Sequence, residues 1–274
     1  MCSALDVCLG VIACIAMSCS EDPGPSRLAS PPSMDAIAGN YIRQDRVLGL
    51  TESLMLTPDG HFIRKVESAT GTWSYEGSIE WQGDVLHLPR ASEIVGRGII
   101  DPEAEGSYRV VEWGDRTYLI EDLYLLRFCN AVNAGAEPRD DSPGSYFLRN
   151  GDWLESASGP PEVPAPWTEM LLGSRLEARI EELAADGCAW VGLGASDGLR
   201  PGMLLTLHDV PESQRFIDLG APPTRQVTIE LVTIEAHRSL VRPHDPGSSA
   251  PMTIGMRVTS GATENPLAAL RYHP

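Results

Sequence analysis

The chain has 274 residues, 42% hydrophobic and 22% charged; that length has room for two domains, and the composition is globular, which argues against wholesale disorder. The net charge is −17, and Lys65 is the single lysine among basic residues that are otherwise arginine. Phosphate neutralisation needs clustered Lys and Arg, so this balance argues against a nucleic-acid partner and against an anionic membrane bound through basic residues.

Residues 9–17 form an apolar run that is too short to span a bilayer, which takes about 20 helical residues, and suits the apolar region of a signal peptide. Small residues then precede a cysteine in two registers: Val11, Ile12 and Ala13 before Cys14, and Ala16, Met17 and Ser18 before Cys19. Both resemble the bacterial lipobox, which implies a diacylated cysteine and cleavage just before it. Cys19 is the preferred lipidation site, with Cys14 as the alternative, because the polar stretch "SEDPGPSRLASPPS" begins directly after Cys19. The leading residues include Asp6 and no Lys or Arg, which fits either an atypical signal or a start codon placed too late. The expectation is a signal peptide with lipobox over 1–19 and a lipid-anchored protein of the cell envelope, periplasmic or on the outer face, with secretion as the alternative.

If Cys19 is the anchor, Cys2, Cys8 and Cys14 leave with the signal, and Cys129 and Cys188 remain as the other thiols. An oxidising envelope permits a disulfide between them. Spacing alone does not bring their Cα atoms together, and two separate buried thiols are the preferred state.

Residues 20–36 read as a flexible or polyproline-like tether. Beyond it, short alternating runs rich in β-branched and aromatic residues are separated by turn signals at Pro58-Asp59-Gly60 and Gln82-Gly83-Asp84, as in an antiparallel meander. Gly39 and Tyr41, then Leu54, Leu56, Asp59, Gly60 and Phe62, then Gly71 and Trp73, then Leu86 and Leu88, follow an order similar to that of the small lipocalin-like β-domains of bacterial envelope proteins. The resemblance covers about fifty residues and implies a β-domain over 37–170. Tyr41, Phe62 and Trp73 are expected to pack its core, with a ligand cup as the lesser alternative.

A hairpin is predicted through Trp113-Gly114-Asp115, followed by one amphipathic helix in "EDLYLLRFCNAVNAG". Leu123, Leu126, Cys129 and Val132 lie at i, i+3, i+6 and i+9 and predict its buried stripe; Gly135 suits the C-terminal cap, and Glu121 and Asp122 suit the positive end of the dipole. Cys129 and Asn130 have no matching histidine nearby, so Cys129 is read as structural. The segment from Trp113 through the Pro-rich "GPPEVPAPW" resembles a recurring arrangement in bacterial envelope proteins, and that resemblance implies no activity. The Pro-rich loop itself interrupts helix and central strand alike and marks a domain boundary near residue 170.

Alternation returns at Leu176, Ala178 and Ile180, at Val227, Ile229 and Leu231, and at Ile254, Met256 and Val258, with a turn at Asp186-Gly187. Between them, Gly194, Asp197, Gly198, Leu199 and Gly202 precede a strand, and Ile254, Gly255 and Val258 follow later. This looks like the small β-barrel at the C-terminus of the flagellar assembly lipoprotein T family. Met203 departs from it where an acidic residue often follows the last glycine. The resemblance covers about eighty residues and implies a non-catalytic scaffold or binding barrel over 171–260, ahead of a tail over 261–274. The fold class expected is thus mainly β with one or two helices: an N-terminal antiparallel meander or barrel and a C-terminal small β-barrel.

"GASDG" at 194–198 also satisfies the G-x-S-x-G nucleophile elbow, but Asp-Gly-Leu-Arg-Pro-Gly and a strand follow Ser196 where the elbow needs a helix. His208, His237 and Asp209 lie downstream without the βαβ repeats that assemble a triad. His61, His87, His208, His237, His244 and His273 show no metal-ligand spacing, and no C-x-x-C is present, so no metal and no cofactor are expected. Asp140-Asp141 and Glu181-Glu182 are read as solvated or pointing to opposite strand faces. The leading expectation is a non-enzymatic binding or scaffold module whose partner is another envelope protein. A carrier of a small apolar ligand is the alternative, and a hydrolase using Ser196 or Cys129 stands third.

Overall fold

The structure, a computed structural model, describes residues 31–45, 49–89, 93–97, 105–138, 146–155, 157–211, 224–245 and 251–261. The predicted leader, Cys14, Cys19, Asp140-Asp141, His273 and most of the tail lie outside these residues. In chain order the elements are α1 (Met34–Ile37), β1 (Gly39–Asp45), β2 (Leu50–Leu56), β3 (His61–Ser68), β4 (Gly71–Ser78), β5 (Glu80–Gln82), β6 (Val85–Leu88), β7 (Glu93–Arg97), β8 (Gly106–Trp113), β9 (Arg116–Glu121), α2 (Asp122–Asn133) and β10 (Tyr146–Arg149). They continue with β11 (Glu177–Leu183), β12 (Ala189–Val191), β13 (Leu204–Pro211), β14 (Thr224–Ile234), β15 (Ser239–Pro243) and β16 (Arg257–Ser260).

The first ten strands form one antiparallel sheet in the order β5-β6-β8-β9-β10-β1-β2-β3-β4-β7, which curls into a nearly closed barrel. The last six close a separate barrel in the order β11-β12-β15-β14-β13-β16. The expected class, mainly β with one or two helices, an N-terminal meander or barrel and a C-terminal small barrel, is what the structure contains: two α-helices, one nearly closed barrel-like sheet and one closed six-stranded barrel among the described residues.

Alternation explains the large sheet. Leu54 and Leu56 of β2, Phe62 and Val66 of β3, and Trp73 and Tyr75 of β4 occupy the inward phase and are buried, while Lys65 and Glu76, in the opposite phase, face outward. Tyr41, Leu86, Leu88, Tyr108, Leu119 and Phe147 complete this interior. Tyr41 also donates its hydroxyl to Ile37 O at 2.7 Å, which ties α1 to the sheet. Gly60 (φ 83°) and Gly83 (φ 68°) sit in the predicted turns, where a left-handed residue lets the strands reverse.

The outer face of β8, β9 and β10 is buried too, because α2 covers it. Phe128 meets Trp113, Tyr118 and Tyr146 edge to face at centroid distances of 6.1, 5.3 and 5.5 Å. The helix stripe therefore differs from the one read from spacing: Leu125, Phe128 and Cys129 are buried, Leu126 and Val132 are half-buried, and Leu123 is 72% exposed. The aromatic cluster beneath the helix draws Phe128 to its centre and turns Leu123 outward. Gly135, at φ 78°, follows the helix end as expected.

The small barrel is filled by Ile180, Val191, Leu205, Leu207, Ile229, Val241 and Val258, among others. Ile254 lies outside β16 and is 66% exposed, so the predicted alternation there begins one pair later, at Met256.

Candidate functional site

Gly194, Asp197, Gly198 and Gly202 build one turn of the small barrel. Asp197 Oδ2 accepts a hydrogen bond from Gly194 N at 2.8 Å, and Ala195 N and Ser196 N donate to Glu235 O and Ala236 O, each at 2.8 Å. The loop thereby lies flat on the β14–β15 connection. A Cβ at residue 194 would stand 2.5 Å from Glu235 O, so glycine is required there by close approach, whereas Gly198 (φ 93°) and Gly202 (φ 89°) are required by backbone conformation.

This geometry gives Ser196 a structural setting. It sits exposed in the short 3-10 turn Ala195–Asp197, and the chain leaves that turn through Gly198 toward β13, not into a helix. His208 is buried within the barrel wall, its Nε2 2.9 Å from Thr259 Oγ1, and His237 is exposed at the β14–β15 turn. Among the described residues no hydrogen bond joins Ser196 to a histidine.

Cys129 and Cys188 are free thiols in different parts of the fold. Cys129 lies on α2 beneath Trp167, with Sγ 3.9 Å from Trp167 O, and burial pushes its thiol up to about 12. Cys188 is half-buried just before β12. Glu181 and Glu182 of β11 are both exposed.

An internal charged cluster was not anticipated from sequence. Arg43 and Glu52 are direct partners across β1 and β2, and Arg64 is the diagonal neighbour of Glu52 on β3. Glu52 Oε1 accepts from Arg43 Nη2 at 2.5 Å, and Glu52 Oε2 accepts from Arg64 Nε and Nη2 at 3.0 and 2.7 Å. Arg43 also reaches Glu121 Oε1 at 3.3 Å and lies over the Phe147 ring at 4.7 Å. Burial raises the Glu52 carboxyl, but the two guanidiniums and their hydrogen bonds outweigh it and hold it below the usual carboxylate range. Burial drives the neighbouring Tyr108 phenol upward. Two cations and two anions balance, so the cluster satisfies itself. The signal was present in the pattern: Glu52 and Arg64 occupy inward phases between Leu50 and Leu54 and between Phe62 and Val66.

Open clefts lie on the exterior. One, of about 550 Å³, runs between Glu112 and the Pro-rich loop at Gly159, Pro161 and Glu162. Another, of about 570 Å³, is lined by Arg200 and Pro201 and by Leu231, Val232 and Ile234 of β14. Among the described residues no cluster of His, Cys, Asp or Glu is placed to hold a metal ion, and no helix is long and apolar enough to cross a membrane. No protein-family model matches the chain, and no curated protein matches it.

Proposed function

We propose that the protein is a non-enzymatic component of the cell envelope, anchored by lipid at Cys19 or secreted, whose two β-modules bind or scaffold another envelope protein. One observation carries the choice of scaffold over carrier. The interior of the large sheet is occupied by Tyr41, Phe62, Tyr75, Tyr108 and Phe147, each at most 1% exposed, and by the Arg43–Glu52–Arg64 cluster. A ligand cup inside the sheet would leave the side chains that line it with exposed surface, and these have almost none. Recognition is therefore assigned to the exterior, where the net charge of −17 favours a neutral or basic partner patch and an association that weakens with added salt.

The intact mass of the protein from membranes of its native host tests the anchoring. A chain beginning at Cys19 with added acyl mass supports it, and crosslinking in those membranes then identifies the partner. An unmodified chain beginning at Met1 overturns the envelope reading. Retention of a fluorescent apolar probe by the purified protein, displaced by an extract of native lipids, would favour the carrier instead.

A further inference from the structure

We propose that Asn130 and Asn133 latch the two β-modules together, so that large sheet, helix and small barrel move as one rigid body. Separate modules joined by a loop move relative to each other by default unless an interface holds them. Here α2 supplies that interface. One face of the helix packs on the large sheet through Leu125, Phe128 and Cys129. Asn130 and Asn133 lie one turn apart, 4% and 6% exposed, and both reach away from that sheet.

Each side-chain amide pairs with the backbone as a neighbouring strand would. Asn130 Oδ1 accepts from Leu204 N at 2.9 Å while its Nδ2 donates to Gly202 O at 3.3 Å. Asn133 Oδ1 accepts from Leu172 N at 2.9 Å while its Nδ2 donates to Met170 O at 2.9 Å. In both cases the two backbone groups belong to residues two apart, so one planar amide satisfies a donor and an acceptor of an extended segment at once. A third attachment lies at the end of β16, where Ser260 Oγ donates to Asn133 O at 3.2 Å. Gly261 is so close to the helix end that a Cβ would stand 2.2 Å from Ala134 N. The helix is thus held where the chain approaches β11, where β13 begins and where β16 ends. Three attachments spread over separate segments leave no axis about which the barrel swings without breaking buried hydrogen bonds, and an amide with a missing partner in such a place is strongly disfavoured. Met170, which packs against the small-barrel core and against the core beneath α2 alike, joins the two apolar interiors at the same point.

This inference is independent of where the protein resides. Its test is backbone ¹⁵N relaxation and amide exchange on the full chain, produced without acylation. The native chain should show one rotational diffusion tensor for amides of β1–β4 and of β13–β16. In the Asn130→Ala/Asn133→Ala double variant the two groups should separate into distinct correlation times, and the amides of Leu172 and Leu204 should exchange at least about 100-fold faster. Two correlation times in the native chain overturn the proposal. So does a double variant that still tumbles as one body, since the coupling then lies elsewhere. Should that variant fail to fold, the single variant Asn130→Ala removes the acceptor for Leu204 N and leaves Asn133 in place; an exchange rate at Leu204 unchanged within about threefold would likewise overturn it.

Discussion

Glu52 stands opposite Arg43 across the β1–β2 pair, and its two carboxylate oxygens are divided between two guanidiniums: Oε1 to Arg43 and Oε2 to Arg64. The two arginines therefore share one buried anion.

Substituting Glu52→Gln keeps the volume and removes the negative charge shared by two guanidiniums with side-chain exposures of 14% and 6%. Breaking a buried pair in this way costs about 3–5 kcal/mol. The expected outcome is a lower urea midpoint with an unchanged slope. Replacing Arg43, Glu52 and Arg64 together by Met, Leu and Met should instead be close to neutral, because the three buried charges leave together and Glu121, which loses Arg43, has a side chain 30% exposed to water. A triple variant as unstable as Glu52→Gln would mean that the cluster does more than balance itself.

The same pair sets an acid limit. The Glu52 carboxyl is held below its usual range in the folded state, so the unfolded chain binds the proton first as pH falls. The contribution is fully present above the ordinary glutamate value of about 4.3 and declines from there down through the folded value. Urea midpoints measured from pH 7 to pH 3 should fall more steeply for the native chain than for Glu52→Gln, and the two curves should converge at the acid end. Parallel curves would remove Glu52 from the acid transition.

Cys129, with its thiol pushed up to about 12 by burial, should resist alkylation at pH 8 in the native protein and react only on unfolding. Peptide mapping after iodoacetamide treatment should find Cys188 modified well before Cys129. Rapid native labelling of Cys129 would show that the segment containing Trp167 opens readily.

Gly194→Ala places a methyl group 2.5 Å from Glu235 O and 2.6 Å from Ala236 O, both backbone atoms that have little freedom to withdraw. A loss of about 1–3 kcal/mol is expected from such overpacking. Asp197→Ala, which removes the acceptor for Gly194 N, should cost about 1 kcal/mol, as for a lost cap. Thermal melts of both variants check this, and a fluorophosphonate probe should leave native Ser196 unlabelled.

Much of the fold is a direct consequence of local pattern. Leu54 and Leu56, Phe62 and Val66, and Trp73 and Tyr75 share a phase that only a strand with one buried face satisfies, and Gly60, Gly83 and Gly135 stand where the backbone must turn left-handed. Tyr41, Phe62 and Trp73 are core residues, as their places in the pattern predict. Tertiary structure decided what periodicity leaves open, namely what covers each face. It turned Leu123 to solvent and Phe128 onto an aromatic cluster, because that cluster exists only once β8, β9 and β10 lie side by side. It made inward Glu52 and Arg64 tolerable, because each is stable only when the opposing strand delivers the opposite charge. It also gave Asn130 and Asn133 their partners at Gly202, Leu204, Met170 and Leu172, which lie 37 to 74 residues away in the chain. A strand's phase is written in neighbouring residues, but the partner of a buried polar group is written in residues that meet only when the chain has folded.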